Sequence, residues 1–321
     1  MNPRKVLIIG GTGHIGCYLV PRLVQSGFEV HVLARHARPQ YTDPRLGWPS
    51  VQWIIADRGP EEKSGAWADR MRAIDASVVV DLICFHPEQQ QVMYEAFRGR
   101  IDHFLHCGTI WSYGAAEHIP YEESHPRRPL SDYGKNKAAI EAFLFEKFKR
   151  EGFPATVIHP GHISGRKWRP VDPHGAWENL DIYNRLATGQ EVVLPDVNAI
   201  LHHVHADDVA QLFELAIQQR ERALGEAFSA VAALAMSPAG CCRAIARMFG
   251  REPNLRFVLL NELDRHLSKA SAQCMRDIVI HTTACSIAKG QRLLGYQPRY
   301  TTEQIYAECL DYLLESGQLK V

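Results

Sequence analysis

A chain of 321 residues, 46% hydrophobic and 22% charged, has apolar material for one large domain or a domain with a smaller lobe. Lys+Arg and Asp+Glu both number 36, a balance that argues against a dedicated binder of nucleic acid or of acidic membranes. Eight scattered cysteines without a C-x-x-C, and no apolar stretch of membrane-spanning length, point to reduced thiols in a cytoplasmic protein with neither a disulfide framework nor a metal site.

In chain order, Lys5–Ile9 is apolar and ends at glycine, which predicts a strand. Helical periodicity follows over 14–26 and stops at Gly27. Strands are predicted at Glu29–Ala34 and 51–56, a mixed helix at 62–74, and a strand covered on both faces at 77–85. Pro87 opens a helix, 103–109 is a strand, 133–150 a long helix, and 155–159 a strand closed by Pro160-Gly161. This alternation predicts an α/β fold with a doubly wound parallel sheet. The first domain is expected over 1–160, with segments near 200–220 returning to it. Residues 161–321 would form mainly a smaller α/β substrate-binding lobe. From 164 to 177 the rhythm breaks into a loop rich in Arg, Pro, His and Trp, as functional loops often are. Residues 201–205 read as a strand, and Asp207-Asp208 as the cap of a helix to about 219.

The turn Gly10-Gly11-Thr12-Gly13-His14-Ile15-Gly16 joins the first strand to the first helix. Glycines at this spacing allow a tight turn, close approach of backbone to a pyrophosphate, and close helix–sheet packing in a Rossmann-type domain. The helix N-terminus then faces the phosphates. Gly10, Thr12, Gly13, His14, Ile15 and Gly16 are therefore expected to hold a dinucleotide. The second strand ends without an acidic residue to bind a ribose hydroxyl and is followed by Arg35, which favours NADP, with NAD as the alternative. Asp57 stands where a carboxylate either accepts from the adenine amino group or caps a helix.

Tyr133 and Lys137 are four apart on a predicted helix and share a face. A phenol titrates near about 10, and a neighbouring ammonium is expected to lower that value and make it an acid–base group. Lys137 would also hold the nicotinamide ribose, and Thr109 would hydrogen-bond the reacting oxygen.

Gly10-x-x-Gly13-x-x-Gly16, Asp57, Thr109 before Tyr113-Gly114, Tyr133-x-x-x-Lys137, His159-Pro160-Gly161, His205-Ala206-Asp207-Asp208-Val209-Ala210 and Leu294-Gly295-Tyr296-x-Pro298 together span nearly the whole chain. In these motifs it resembles the extended or atypical short-chain dehydrogenases/reductases of the NAD-dependent epimerase/dehydratase superfamily. The resemblance implies hydride transfer with Tyr133 as acid/base, Lys137 as its partner and Thr109 in the usual Ser/Thr place, with Pro160 onward touching the nicotinamide side. Ile110-Trp111 stand where sugar dehydratases carry Asp-Glu, and Trp111 where some epimerase/reductases carry Cys. His159 replaces the usual Arg. These departures turn the reading away from a standard nucleotide-sugar enzyme.

On the substrate side, Arg166, Trp168 and Arg169 are expected to clamp a phosphate or carboxylate, with Trp111 and His162 facing the same space. His202, His203 and His205 lie on opposite sides of a strand and are not expected to bind metal. Helix 133–150 is apolar on more than one face, which suggests a homodimer. The leading expectation is an NADP-dependent reductase or dehydrogenase acting on a ketone or secondary alcohol of a sugar-like or biosynthetic small molecule. The alternative is an NAD-dependent nucleotide-sugar epimerase; a third reading is a non-catalytic dinucleotide-sensing or RNA-associated protein.

Overall fold

The computed structural model describes residues 4–39, 47–168, 170–177 and 180–321. Its strands are β1 (Lys5–Ile9), β2 (Glu29–Ala34), β3 (Gln52–Ile55), β4 (Val78–Asp81), β5 (His103–Cys107), β6 (Ala155–Pro160), β7 (His162–Ser164), β8 (Glu191–Pro195), β9 (His203–His205), β10 (Ala227–Ala230) and β11 (Asn254–Val258). The helices are α1 (Gly16–Gln25), α2 (Arg58–Ser64), α3 (Ala66–Ala73), α4 (Pro87–Phe97), α5 (Asp132–Glu151), α6 (Asp181–Thr188), α7 (Ala206–Gln218), α8 (Arg220–Ala223), α9 (Pro238–Met248), α10 (Lys269–Ile280), α11 (Ala288–Leu294) and α12 (Thr302–Glu315).

Seven strands form one parallel sheet in the order β3-β2-β1-β4-β5-β6-β10. The expected Rossmann-type sheet is thus present, and the order reverses between β1 and β4, the switch point where such sheets bind ligands. The alternation of β1 explains its burial. Val6 and Ile8 pack with Leu19, Val209 and Phe213 on one face, while Leu7 and Ile9 pack with Trp67, Tyr94 and Ile140 on the other. All four are fully buried, each contributing about 1.5–3 kcal/mol. A second core, with Tyr183, Leu186, Ile245, Met275 and Leu310, lies under α6, α9, α10 and α12 beside the β8–β11 pair. Between these lobes β7 pairs with β9, while α7 and β10 pack in the first lobe.

Several local expectations are corrected. The helix expected over 62–74 is two helices, parted by Gly65 at φ +80°. The strand expected over 77–85 stops at Asp81. Its fully buried carboxylate takes two bonds from Arg58 Nη1 (2.9 and 3.1 Å) and one from the Ile83 N–H (3.1 Å), which turns 82–85 out of the sheet. The cap of α7 is His205, whose Nδ1 accepts from the Asp207 N–H at 3.0 Å. Asp208 instead accepts from the backbone of Arg299 and Tyr300 (2.9 and 3.1 Å).

Part of the apolar surface of α5 is covered by the chain itself, while Ala139 and Ala142 stay exposed. Phe143 meets Tyr94 edge-on (5.5 Å), and Phe148 fills the space beside Gly225. No helix of the described residues is long and apolar enough to cross a membrane.

Candidate active site

The first site element is the turn after β1. Gly10 adopts φ +81°, and a Cβ there would lie 2.6 Å from Ile83 Cγ2. A Cβ on Gly16 would lie 2.2 Å from the Gly11 carbonyl oxygen. Helix α1 starts without a side-chain cap and without an acidic residue in its first turn. Its first N–H groups and dipole therefore favour an anion, so the turn fits the pyrophosphate of a dinucleotide. Gly16→Ala is expected to force the turn open and weaken dinucleotide binding by at least about tenfold, removing most of the rise in melting temperature that an added nicotinamide dinucleotide gives the wild type.

Gly10, Gly13, His14, Ile15 and Gly16 line a cleft of about 500 Å3 together with Thr109, Tyr133 and Lys137. Trp111, His162 and Trp168 line it as well, as do Gly161 after Pro160, Trp177 at the end of the expected lining loop, and Phe85, which the sequence reading did not single out. Thr12 sits in the same turn, its carbonyl accepting from the Cys17 thiol. Pro160 ends β6 immediately before Gly161. Arg35 is exposed just past β2, outside this lining. Asp57 caps α2, accepting from the Gly59 N–H at 3.2 Å.

The three chemical groups converge from two places, Thr109 just past β5 and Tyr133 and Lys137 on α5. Ser131 caps α5 through the Gly134 N–H (3.2 Å) and places Tyr133 and Lys137 in the first turns. The Thr109 Oγ1 accepts from the Trp111 N–H at 3.2 Å. Lys137 is 2% exposed, and its Nζ donates to the carbonyls of Cys84 (2.7 Å) and Cys107 (2.6 Å). Burial lowers its pKa. The expected lowering of the phenol does not occur. Although 43% of Tyr133 stays exposed, desolvation by the cleft wall pushes its phenol up to about 12, outweighing a hydrogen bond with Thr109 that pulls it down. The ammonium lies 5.9 Å from the Tyr133 ring centre and is committed to the two carbonyls.

A buried charged chain backs Thr109. His159 Nδ1 lies 2.9 Å from the Thr109 carbonyl oxygen and 3.2 Å from its N–H, engaging that backbone in either tautomer. His159 Nε2 is 3.3 Å from Glu141, which takes two bonds from Arg127 (2.6 and 2.9 Å). Burial works to raise the Glu141 pKa, but His159 and Arg127 hold it down at about 2. The His-Pro-Gly motif marked the strand end without revealing this support, because its partners lie far apart in sequence.

On the substrate side, Trp111 stacks on His281 (4.3 Å, 11°) and Trp168 on His14 (4.6 Å, 9°). Arg166 does not face the cleft as expected. Its guanidinium bonds Glu315 and its backbone N–H donates to Glu308 at 3.3 Å. Arg169 lies outside the described residues. His202, His203 and His205 are spent on Ala232 O (2.9 Å), Val171 O (3.3 Å) and Glu308 (2.9 Å).

In the same loop Asp172 is 1% exposed, with Oδ1 accepting from His174 and Ala176 N–H groups (2.7 and 3.0 Å). Burial pushes its carboxyl up to about 7. Between about pH 4 and 7 the folded chain keeps a proton that the unfolded chain has released, so stability falls as pH rises through that window. Asp172→Asn keeps the Oδ1 acceptor and is expected to flatten this slope and melt higher than wild type at pH 8.

The pattern of the NAD dependent epimerase/dehydratase family matches residues 6–70 and 88–230. The chain belongs to this family and is an NAD(P)-dependent enzyme of the extended short-chain dehydrogenase/reductase type. It is 26% identical over 308 residues to the chloroplast stem-loop binding protein of 41 kDa b of Arabidopsis thaliana, covering 93% of this chain and 76% of that one. It is 25% identical over 243 residues to the UDP-glucose 4-epimerase of Streptomyces lividans, covering 67% and 72%. The solved UDP-glucose 4-epimerase of Thermus thermophilus in complex with NAD superimposes with a TM-score of 0.71 at 20% identity, over 97% of this chain and 99% of that one.

Proposed function

We propose that the enzyme is an NADP-preferring ketone reductase in which Tyr133 donates the proton. The observation that carries this reading is the meeting of Thr109, Tyr133 and Lys137 with the glycine turn in one cleft at the carboxyl ends of β1, β4 and β5. A bound nicotinamide dinucleotide would supply the exchangeable hydride. Its pyrophosphate fits the open end of α1. Lys137 has three N–H donors and spends two on Cys84 and Cys107, which leaves one for a ribose hydroxyl. The Thr109 hydroxyl orients the substrate carbonyl, and Tyr133 gives its proton to that oxygen. The Tyr133 phenol is protonated at neutral pH, as an ordinary phenol with a pKa of about 10 is, and so can serve as the proton donor to a ketone. Arg35 beyond β2, with no carboxylate at that strand end, supports a ribose 2′-phosphate.

The test is net oxidation of NADPH by the purified enzyme with a panel of ketones. An epimerase would retain NAD through purification and consume no net NADPH. The stem-loop binding relative brings an RNA-associated reading with it; the presence of both Tyr133 and Lys137 in the cleft supports catalysis instead. Salt-dependent RNA binding without turnover would reverse that judgement.

A further inference from the structure

Resting on the reading of this cleft as a reductase site, we infer that its substrate end takes an uncharged, largely apolar, ring-bearing ketone or secondary alcohol, and not a phosphorylated or nucleotide-linked sugar. Two independent features of the lining carry this.

The first is its walls. Trp111, Trp168 and Trp177 line the same cleft as Tyr133, and the first two are fixed by stacking on His281 and His14. Flat apolar walls recognise rings by stacking and by area removed from water. Phe85, Tyr133 and Trp177 keep 44%, 43% and 43% of their surface exposed, and all three line this cleft. Exposed apolar groups gathered at one concave site mark the binding of something apolar.

The second is charge. Among the described residues lining the cleft, Lys137 is the only lysine or arginine, and two of its three donors are spent on carbonyls behind the site. Burial pushes His14 down to about 3 and His162 down to about 4, so both imidazoles are neutral at physiological pH. The Arg166 guanidinium is turned outward to Glu315. A phosphate at the substrate end would lose its hydration with no free cation among these residues to replace it. The cofactor's own phosphates face no such difficulty, because the start of α1 meets them. Trp177 also lines a neighbouring cavity of about 780 Å3. The arginine there, Arg185, is already paired with Asp181 at 2.6 Å. That cavity is also lined by Asp181, Glu191, His174, His266 and Ser268, so the apolar subsite is confined to the cleft around Tyr133.

The experiment is calorimetric titration of the enzyme saturated with NADP+, which cannot reduce a ketone, using decalone and UDP-glucose as probes. Decalone is expected to bind at least about tenfold more tightly than UDP-glucose. Trp177→Ala, a truncation of a half-exposed side chain, is expected to weaken decalone by about tenfold, and Trp177→Phe to restore it to within about threefold. Tighter binding of UDP-glucose, or decalone affinity indifferent to Trp177→Ala, overturns the inference. The same ketone is then tested with NADPH. Decalone that binds in the expected order but is not reduced removes the reductase reading and leaves the substrate class standing.

Discussion

Tyr133→Phe is expected to lower kcat by about 10²–10⁴-fold, the usual worth of a positioned proton donor, while leaving dinucleotide affinity within about threefold. The substitution removes one hydroxyl from a ring that is 43% exposed, so no core contact is lost. Lys137 keeps its bonds to Cys84 and Cys107, because neither involves the phenol. Thr109 keeps the Trp111 N–H and the His159 contact. Steady-state kinetics, with cofactor affinity followed by fluorescence, checks both halves. Equal loss of cofactor affinity and turnover would mean that the hydroxyl serves binding and not proton transfer.

Arg58→Leu is expected to destabilise the fold by about 3–5 kcal/mol, because it strands a buried carboxylate. Asp81 is fully buried at the end of β4, and Arg58, itself only 6% exposed, is its guanidinium partner. Arg58 also bonds Glu62 at 2.7 Å and lies over Trp67, tying α2 and α3 to the sheet. Replacing both partners by apolar residues removes the stranded charge, so Arg58→Leu with Asp81→Leu should recover most of that loss in urea unfolding. Cofactor affinity should not recover with it. The Asp81 carboxylate also holds the Ile83 N–H, and that bond turns Leu82, Ile83 and Phe85 into the cleft wall. Recovery of stability without recovery of binding would separate the two roles of this aspartate.

These two cases show where sequence is readable and where it is not. The sheet was readable because β1, β2 and β6 alternate with helical periods, and because Gly10, Gly13 and Gly16 punctuate the first strand–helix junction. Thr109, Tyr133 and Lys137 were readable because the last two share a helix face and the first closes an apolar strand. The early end of β4 was hidden. An aspartate followed by leucine and isoleucine looks like continued strand until Arg58, distant in sequence, arrives beside it. The Arg127–Glu141–His159 chain behind Thr109 was hidden for the same reason. Arg166 misled because composition reports that a loop is basic but not where its cations point, and Glu315 on α12 captures this one. The phenol misled because helical spacing puts a lysine on its face without saying where the ammonium ends, and two backbone carbonyls claim it.

The most direct test of the central claim is a crystal structure of the enzyme with bound NADP. The account expects the pyrophosphate on the N–H groups at the start of α1, and the nicotinamide ring in the cleft against Thr109, Tyr133 and Lys137. A dinucleotide whose redox ring lies away from those three side chains would contradict it.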